Sequence, residues 1–121
     1  MLPGQGIYHR ESQQGRTGLE AEMTGFVYFI LPKAQSTGGV KIGYSKCPEK
    51  RLVRVQKDAI LRLKLLGYVP GTRSDERRLH SFLCTQRMYG EWFATTSNVH
   101  RFIREILASG VIPNQISRRV W

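Results

Sequence analysis

Five polar residues lie within or beside apolar segments of the chain: Tyr28, Lys41, Arg51, His80 and Glu91. A phenol, an amine and an imidazole can exchange protons. A guanidinium offers phosphate oxygens a planar fork of donors, and a carboxylate is a ligand for Mg²⁺. Groups suited to proton transfer, phosphate binding and metal binding are therefore all present, if the surrounding elements bring them together.

Each of these residues also has an ordinary structural explanation when it is considered alone. A tyrosine inside a strand usually packs in the core, and a lysine that interrupts one usually lies on the exposed face. Arg51 is one of many arginines, and a lone histidine is more often structural than catalytic. A lone glutamate is usually a surface charge, although Glu91 is one of only 9 acidic residues. Their order and the elements that carry them decide between the two explanations.

The elements follow from apolar periodicity. "GFVYFIL" is short, apolar, β-branched and aromatic, which predicts a central strand, and "VKIGYS" alternates as a second strand of the same hairpin. The predicted strands are 25–31, 40–45, 61–69 and a short extended piece at 90–95. The predicted helices are 48–59 with Pro48 in its first turn, 73–88 after a cap at Thr72, and 97–110.

This order, β-β-α-β-α-(β)-α, predicts a small α+β fold with a mostly antiparallel three-stranded sheet flanked by helices. Pro70-Gly71 is expected to form a turn after the third strand. Residues 1–23 show neither strand nor helix periodicity and are predicted to be a disordered leader. The folded domain is expected at 24–110, followed by a tail at 111–121.

Charge is the strongest signal in the composition. The chain has 121 residues, with 19 Lys and Arg against 9 Asp and Glu, which gives a formal net charge of +10. Such an excess attracts polyanions, and nucleic acid is the commonest of them. An anionic membrane surface, or no polyanion at all, remains the alternative.

Other classes are disfavoured by what the sequence lacks. No apolar run is long enough to span a bilayer, and the first residues, "MLPGQGIYHR", contain no apolar stretch typical of a secretory signal. Cys47 and Cys84 are the only cysteines, too few for a disulfide framework or a zinc site. A reducing, cytoplasmic setting is therefore expected.

Several stretches match a known pattern together and in order: "GFVYFI", "VKIGYSKCPEKRL", "LKLLGYVPGTRSDERRLHSFL" and "RMYGEWF". On these stretches the chain resembles the GIY-YIG nuclease superfamily, in particular its short phage and bacterial branch. The resemblance runs from about Gly25 to Phe93. It implies a DNA endonuclease acting in the cytoplasm of a bacterium, near its nucleoid or during phage infection.

The resemblance assigns roles to the five residues. Tyr28 matches the first-motif tyrosine, and Lys41 occupies the position of the second-motif tyrosine. Arg51, ten residues further on, matches the family's arginine, and Glu91 matches its metal-binding glutamate. His80 matches a histidine typical of this branch.

These roles suit the hydrolysis of a phosphodiester. Glu91 would hold one Mg²⁺ or Mn²⁺, and Arg51 would bind phosphate oxygens. Tyr28 would hydrogen-bond the attacking water, or act as its base if Arg51 and the metal lower its pKa. Lys41 could take the proton instead, so the identity of the base stays open. The residues expected to bind the DNA backbone without reading its sequence are Lys46, Lys50, Arg54 and Arg87.

The chain departs from the family pattern at two positions. Lys41 replaces a tyrosine, and Val55 stands where relatives often have His or Tyr. We hypothesise that His80 compensates from another helix. A literal "GIY" also occurs at residues 6–8, but Tyr8 lies 33 residues before Lys41, too far for one hairpin. Tyr28 lies 13 residues before Lys41, inside a strong strand, and is therefore preferred.

Two further readings remain beside the endonuclease. One is a nucleic-acid-binding module without catalysis on the same fold, and the other is an interaction protein whose basic surface binds an acidic partner. No DNA-reading domain is recognisable, so weak sequence preference or a separate targeting protein is expected. Whether the DNA is duplex, branched or single-stranded, and the oligomeric state, are left open by the sequence.

Overall fold

The structure, a computed structural model, describes residues 24–34 and 38–114. The strands in this part of the chain are β1 (Thr24–Pro32), β2 (Val40–Ser45), β3 (Leu63–Thr72), β4 (Arg87–Tyr89) and β5 (Trp92–Phe93). The helices are α1 (Pro48–Lys57), α2 (Arg73–Phe82) and α3 (Ser97–Ser109), with a 3-10 turn at Cys84–Gln86. The predicted leader at 1–23 and residues 115–121 of the predicted tail lie outside the described residues.

The five strands found within the described residues form one antiparallel sheet in the order β3-β1-β2-β5-β4. The predicted α+β class is confirmed, but the predicted count of three strands is wrong. The chain turns at Gly90, where φ is 52°, and β4 and β5 form a hairpin in place of one extended piece. Strands of three and two residues are too short to show the alternation that reveals a strand in a sequence.

Two other predicted boundaries need correction. The helix predicted over 73–88 ends at Phe82, since the chain passes into the 3-10 turn and then β4. Pro70 and Gly71, predicted as a turn, lie within β3 and pair with Phe26 and Gly25 of β1. Because β3 is at the edge of the sheet, a proline without an N–H can be accommodated there.

The sheet is covered on both faces. One face carries Val27, Phe29 and Ile42, which pack with apolar side chains of α2 and α3. On the other face, Tyr28 lies with Phe26, Ile30 and Tyr68 beneath Leu52 and Val55 of α1. This packing holds α1 over Tyr28. Val55 serves in it as an apolar contact between the helix and the sheet.

Helix ends are fixed by local interactions. Thr72 and Asp75 form the predicted cap of α2 as a reciprocal capping box. The N-cap of α3 is Thr96, whose side chain accepts from the Val99 N–H, and Gly110 ends the helix with φ of 75°. Glu49 in the first turn of α1 accepts a hydrogen bond of 2.6 Å from the Tyr68 hydroxyl of β3.

No helix in the part of the chain described by the structure is long and apolar enough to cross a bilayer.

Candidate functional site

Tyr28 lies at the centre of the sheet, paired with Gly43 of β2 on one side and Tyr68 of β3 on the other. Its side chain is fully buried, and its ring and hydroxyl lie directly over Gly43. A Cβ at position 43 would come within 2.8 Å of Tyr28 Cε2 and closer still to the hydroxyl. The glycine of "KIG" therefore makes room for the Tyr28 side chain.

The Tyr28 hydroxyl is buried and has no hydrogen-bond partner of regular geometry among the described residues. Burial raises the pKa of Tyr28 to about 12. Arg51 opposes this shift through its charge and a weak side-chain hydrogen bond, whereas Glu91 and Glu76 reinforce it. The expected lowering by Arg51 is present, but burial outweighs it, so the hydroxyl keeps its proton at neutral pH in the protein alone.

Lys41 and Glu91 form an ion pair, with Lys41 Nζ 2.5 Å from Glu91 Oε1. Lys41 lies on the Tyr28 face of β2, because it pairs with Ile30 of β1. The hairpin of β4 and β5 brings Glu91 to the same place, and the Ile42 N–H donates to the Glu91 carbonyl over 3.0 Å. The hairpin of β4 and β5, which the sequence analysis did not predict, thus positions Glu91, the predicted metal-binding glutamate.

His80 reaches the site region from α2. Its Nε2 lies 2.8 Å from the Ile42 carbonyl oxygen. A carbonyl oxygen only accepts, so this nitrogen carries a proton. The ring also packs at 5.0 Å from that of Phe93. These contacts join α2 to β2 and β5, and the hypothesis of a catalytic role for His80 stays a prediction.

Glu76 is a further charged residue whose charge acts on Tyr28 and is affected by Glu91, and the sequence analysis missed it. Its side chain is buried, with 7% of the residue exposed, and its Oε2 is 4.0 Å from His80 Nε2. Burial raises the pKa of Glu76, and the charge of Glu91 raises it further. Its spacing could have indicated that Glu76 is buried. Glu76 stands three residues before Leu79 and seven before Leu83, both buried, and so lies on the apolar stripe of α2.

The two carboxylates are the groups best suited to a metal ion. Among residues 24–34 and 38–114, no cluster of three or more His, Cys, Asp or Glu side chains forms a ready-made metal site. Mg²⁺, however, commonly uses one or two carboxylates and takes its other ligands from water and substrate phosphate. Burial raises the pKa of Glu76, the charge of Glu91 raises it further, and a divalent cation held by both carboxylates would offset the repulsion between them. The residues present therefore fit Mg²⁺ or Mn²⁺.

A cavity of about 340 Å³ opens beside Arg51, at the end of β2 and the start of α1. Five cationic residues line it and are called here the basic pocket: Lys46, Lys50, Arg51, Arg54 and Arg73. Tyr44, Ser45 and Cys47 complete the lining found in the described residues, so no acidic side chain contributes to it. Arg51 belongs both to this pocket and to the surroundings of Tyr28, so a cationic surface lies next to the phenol.

The predicted DNA-binding residues divide into two groups. Lys46, Lys50 and Arg54 line the basic pocket, together with Arg73, which the sequence analysis did not single out. The Arg73 guanidinium lies 4.9 Å from the centre of the Tyr44 ring. Arg87 is not part of the pocket lining. It donates to the Gly90 carbonyl over 2.5 Å and lies over the Phe93 ring, contacts that stabilise the hairpin.

No protein-family profile matches the chain, and comparisons with curated proteins and with solved structures found no match either. Functional inference therefore rests on the residues and their arrangement.

Proposed function

We propose that the protein is a metal-dependent DNA endonuclease of the GIY-YIG type that hydrolyses phosphodiester bonds with weak sequence specificity. The observation that carries the proposal is the buried Tyr28 hydroxyl, which lacks a regular partner and lies among Arg51, Glu76 and Glu91. Buried polar groups are nearly always satisfied within a folded protein. A buried hydroxyl whose one hydrogen bond, to Arg51, lacks regular geometry is explained by a reacting group that it contacts during function.

Substrate binding follows from the basic pocket. Lys46, Lys50, Arg54 and Arg73 hold the DNA backbone through its phosphates, which carry no sequence information. Arg51 then places its planar donors on the oxygens of the phosphate next to Tyr28. Because one residue belongs to both the pocket and the cluster, binding the backbone also aligns the scissile phosphate.

The chemical step uses groups around that phosphate. With a pKa of about 12, the Tyr28 hydroxyl is protonated and donates a hydrogen bond to a phosphate oxygen or orients the attacking water. Glu76 and Glu91 are the residues that would hold Mg²⁺ or Mn²⁺, and such an ion would supply stabilisation of negative charge on the phosphate and on the leaving oxygen. Lys41 pairs with Glu91 in the protein alone, and its ammonium group is a further donor that a phosphate oxygen could accept from.

The proposal is tested by nicking of supercoiled plasmid in Mg²⁺ or Mn²⁺. Wild type is expected to nick, and Arg51→Ala and Glu91→Ala are expected to lose activity. Arg77→Ala and Asp58→Asn are the controls, because they remove charges of the same signs from exposed residues that are not assigned to the site. Equal nicking by wild type and both site variants points to a contaminating nuclease and contradicts the proposal.

A non-catalytic nucleic-acid-binding protein is the second candidate. The ion pair between Lys41 and Glu91 favours it, since that carboxylate already has a cationic partner. This candidate predicts binding at low salt without nicking in either metal.

A further inference from the structure

Two aromatic side chains of the hairpin lie next to each other and are not used by the proposed chemistry. The rings of Tyr89 and Trp92 are nearly parallel, at 25°, with centroids 6.4 Å apart. Trp92 is partly buried, whereas Tyr89 is 64% exposed. Because most of the Tyr89 ring is exposed, it contributes little burial to the stability of this short hairpin.

This aromatic pair borders the candidate site. Trp92 pairs with Lys41 in the sheet and packs against the cluster that contains Tyr28. Glu91 immediately precedes it. The pair therefore lies on the Tyr28 face of the sheet, beside the ion pair of Lys41 and Glu91.

The basic pocket lies toward the other end of β2. Lys41 and Ser45, which mark the two ends, are four residues apart, or ~13 Å along a strand. Tyr28 pairs with Gly43 between them. A nucleic-acid strand that places phosphates in the basic pocket and runs along β2 toward Lys41 would next meet Tyr89 and Trp92.

We propose that Tyr89 and Trp92 form a stacking platform for an unpaired base, and that the substrate is DNA with a single-stranded segment next to the scissile phosphate. This inference rests on the proposed function, because it assumes that a DNA strand bound in the basic pocket continues along β2 toward Lys41. In a duplex each base face is covered by its neighbours, so only an unpaired or extruded base can stack on a protein ring. A cationic groove combined with exposed aromatic rings is the usual surface for single strands.

The direct test is binding of the full chain to a short labelled oligothymidine and to a duplex of equal length, measured by anisotropy without divalent metal. Tyr89→Ala is expected to weaken single-strand binding at least about 5-fold and to leave duplex binding nearly unchanged. Tyr89→Phe, which keeps the ring, should bind both like wild type. Val111→Ala removes an exposed apolar side chain elsewhere and should have no effect, whereas Arg54→Ala should weaken both complexes.

Equal loss on both DNA forms, or no loss on either, overturns the proposal. If circular dichroism shows that Tyr89→Ala does not fold, the fluorescence of Trp92 tests base stacking instead, because that measurement leaves both aromatic rings in place. Trp92 and Trp121 are the only tryptophans, so a Trp121→Phe background reports Trp92 alone. Oligothymidine is expected to quench this emission and the duplex is not, whereas equal quenching by both contradicts stacking.

Failure of this inference is distinguishable from failure of the proposed function. Cleavage in Mg²⁺ without single-strand preference would contradict the stacking platform and support the proposed nuclease function. Single-strand preference that depends on Tyr89, without cleavage of any DNA, would support the stacking platform and contradict the proposed nuclease function.

Discussion

The Tyr28 hydroxyl lies over the α-carbon of Gly43, with no space between them for a methyl group. Two motifs that are 15 positions apart in the sequence are thereby joined in one packing contact across β1 and β2. Gly43 is required by the size of its neighbour rather than by its own backbone conformation.

Replacing Gly43 with alanine is expected to displace the Tyr28 ring. We expect Gly43→Ala to lower the free energy of unfolding by about 1–3 kcal/mol, as overpacking does, and to reduce cleavage. Urea denaturation measures the first effect. Gly67→Ala is the control, since its added methyl would meet only the flexible end of Leu107, at 2.8 Å. Equal stability of Gly43→Ala and wild type would show that the contact is loose.

Glu76 should make stability depend on pH. Its pKa is raised in the folded protein above the ordinary value of 4.5, so the folded state binds the proton more tightly than the unfolded state. The stability from this group is fully present below pH 4.5 and is lost as pH rises through the folded pKa. Glu76→Gln should therefore flatten this fall and be more stable than wild type at pH 7.

Thermal melting of wild type and Glu76→Gln across this pH range measures the difference. Asp58→Asn, an exposed carboxylate, is the matched control and should leave the profile unchanged. Addition of Mg²⁺ should raise the melting temperature of wild type by binding the folded state, and less so for Glu76→Gln. Identical pH profiles for wild type and Glu76→Gln would contradict the burial penalty on Glu76.

Deleting residues 1–23 is expected to leave both the melting temperature and cleavage unchanged. All residues assigned to the candidate site lie between Tyr28 and Glu91. Within the full chain, Tyr8→Phe should likewise have no effect on cleavage. If the deletion and Tyr8→Phe both abolish cleavage while the protein stays folded, the literal "GIY" at 6–8 becomes the better assignment of the first motif.

Elements with long, regular patterns could be predicted from the sequence. β1, β2 and the helix caps at Thr72 and Gly110 were recognisable because strand alternation and capping are local properties. The hairpin of β4 and β5 was not, since its pairing with β2 is a contact between residues some 50 positions apart. Pro70 suggested a turn because sequence cannot show that β3 is an edge strand.

The site was predicted as a set of residues but not as an electrostatic arrangement. Spacing and resemblance indicated Tyr28, Arg51 and Glu91, and in the structure the charges of Arg51 and Glu91 both act on the Tyr28 hydroxyl. The net direction of the Tyr28 pKa could not be predicted, because burial and three charges act on it in opposite directions. Glu76 was missed because a carboxylate on an apolar helix stripe is recognised as buried only when the packing is known.

The most direct test of the central claim is the Tyr28→Phe variant in single-turnover cleavage of prebound DNA, alongside its denaturation. Removing a buried hydroxyl with no regular partner should raise the free energy of unfolding by about 1 kcal/mol. The same change should slow cleavage by about 100-fold or more without weakening DNA binding. Wild-type cleavage by a folded Tyr28→Phe variant would contradict the assignment of the Tyr28 hydroxyl to the reaction.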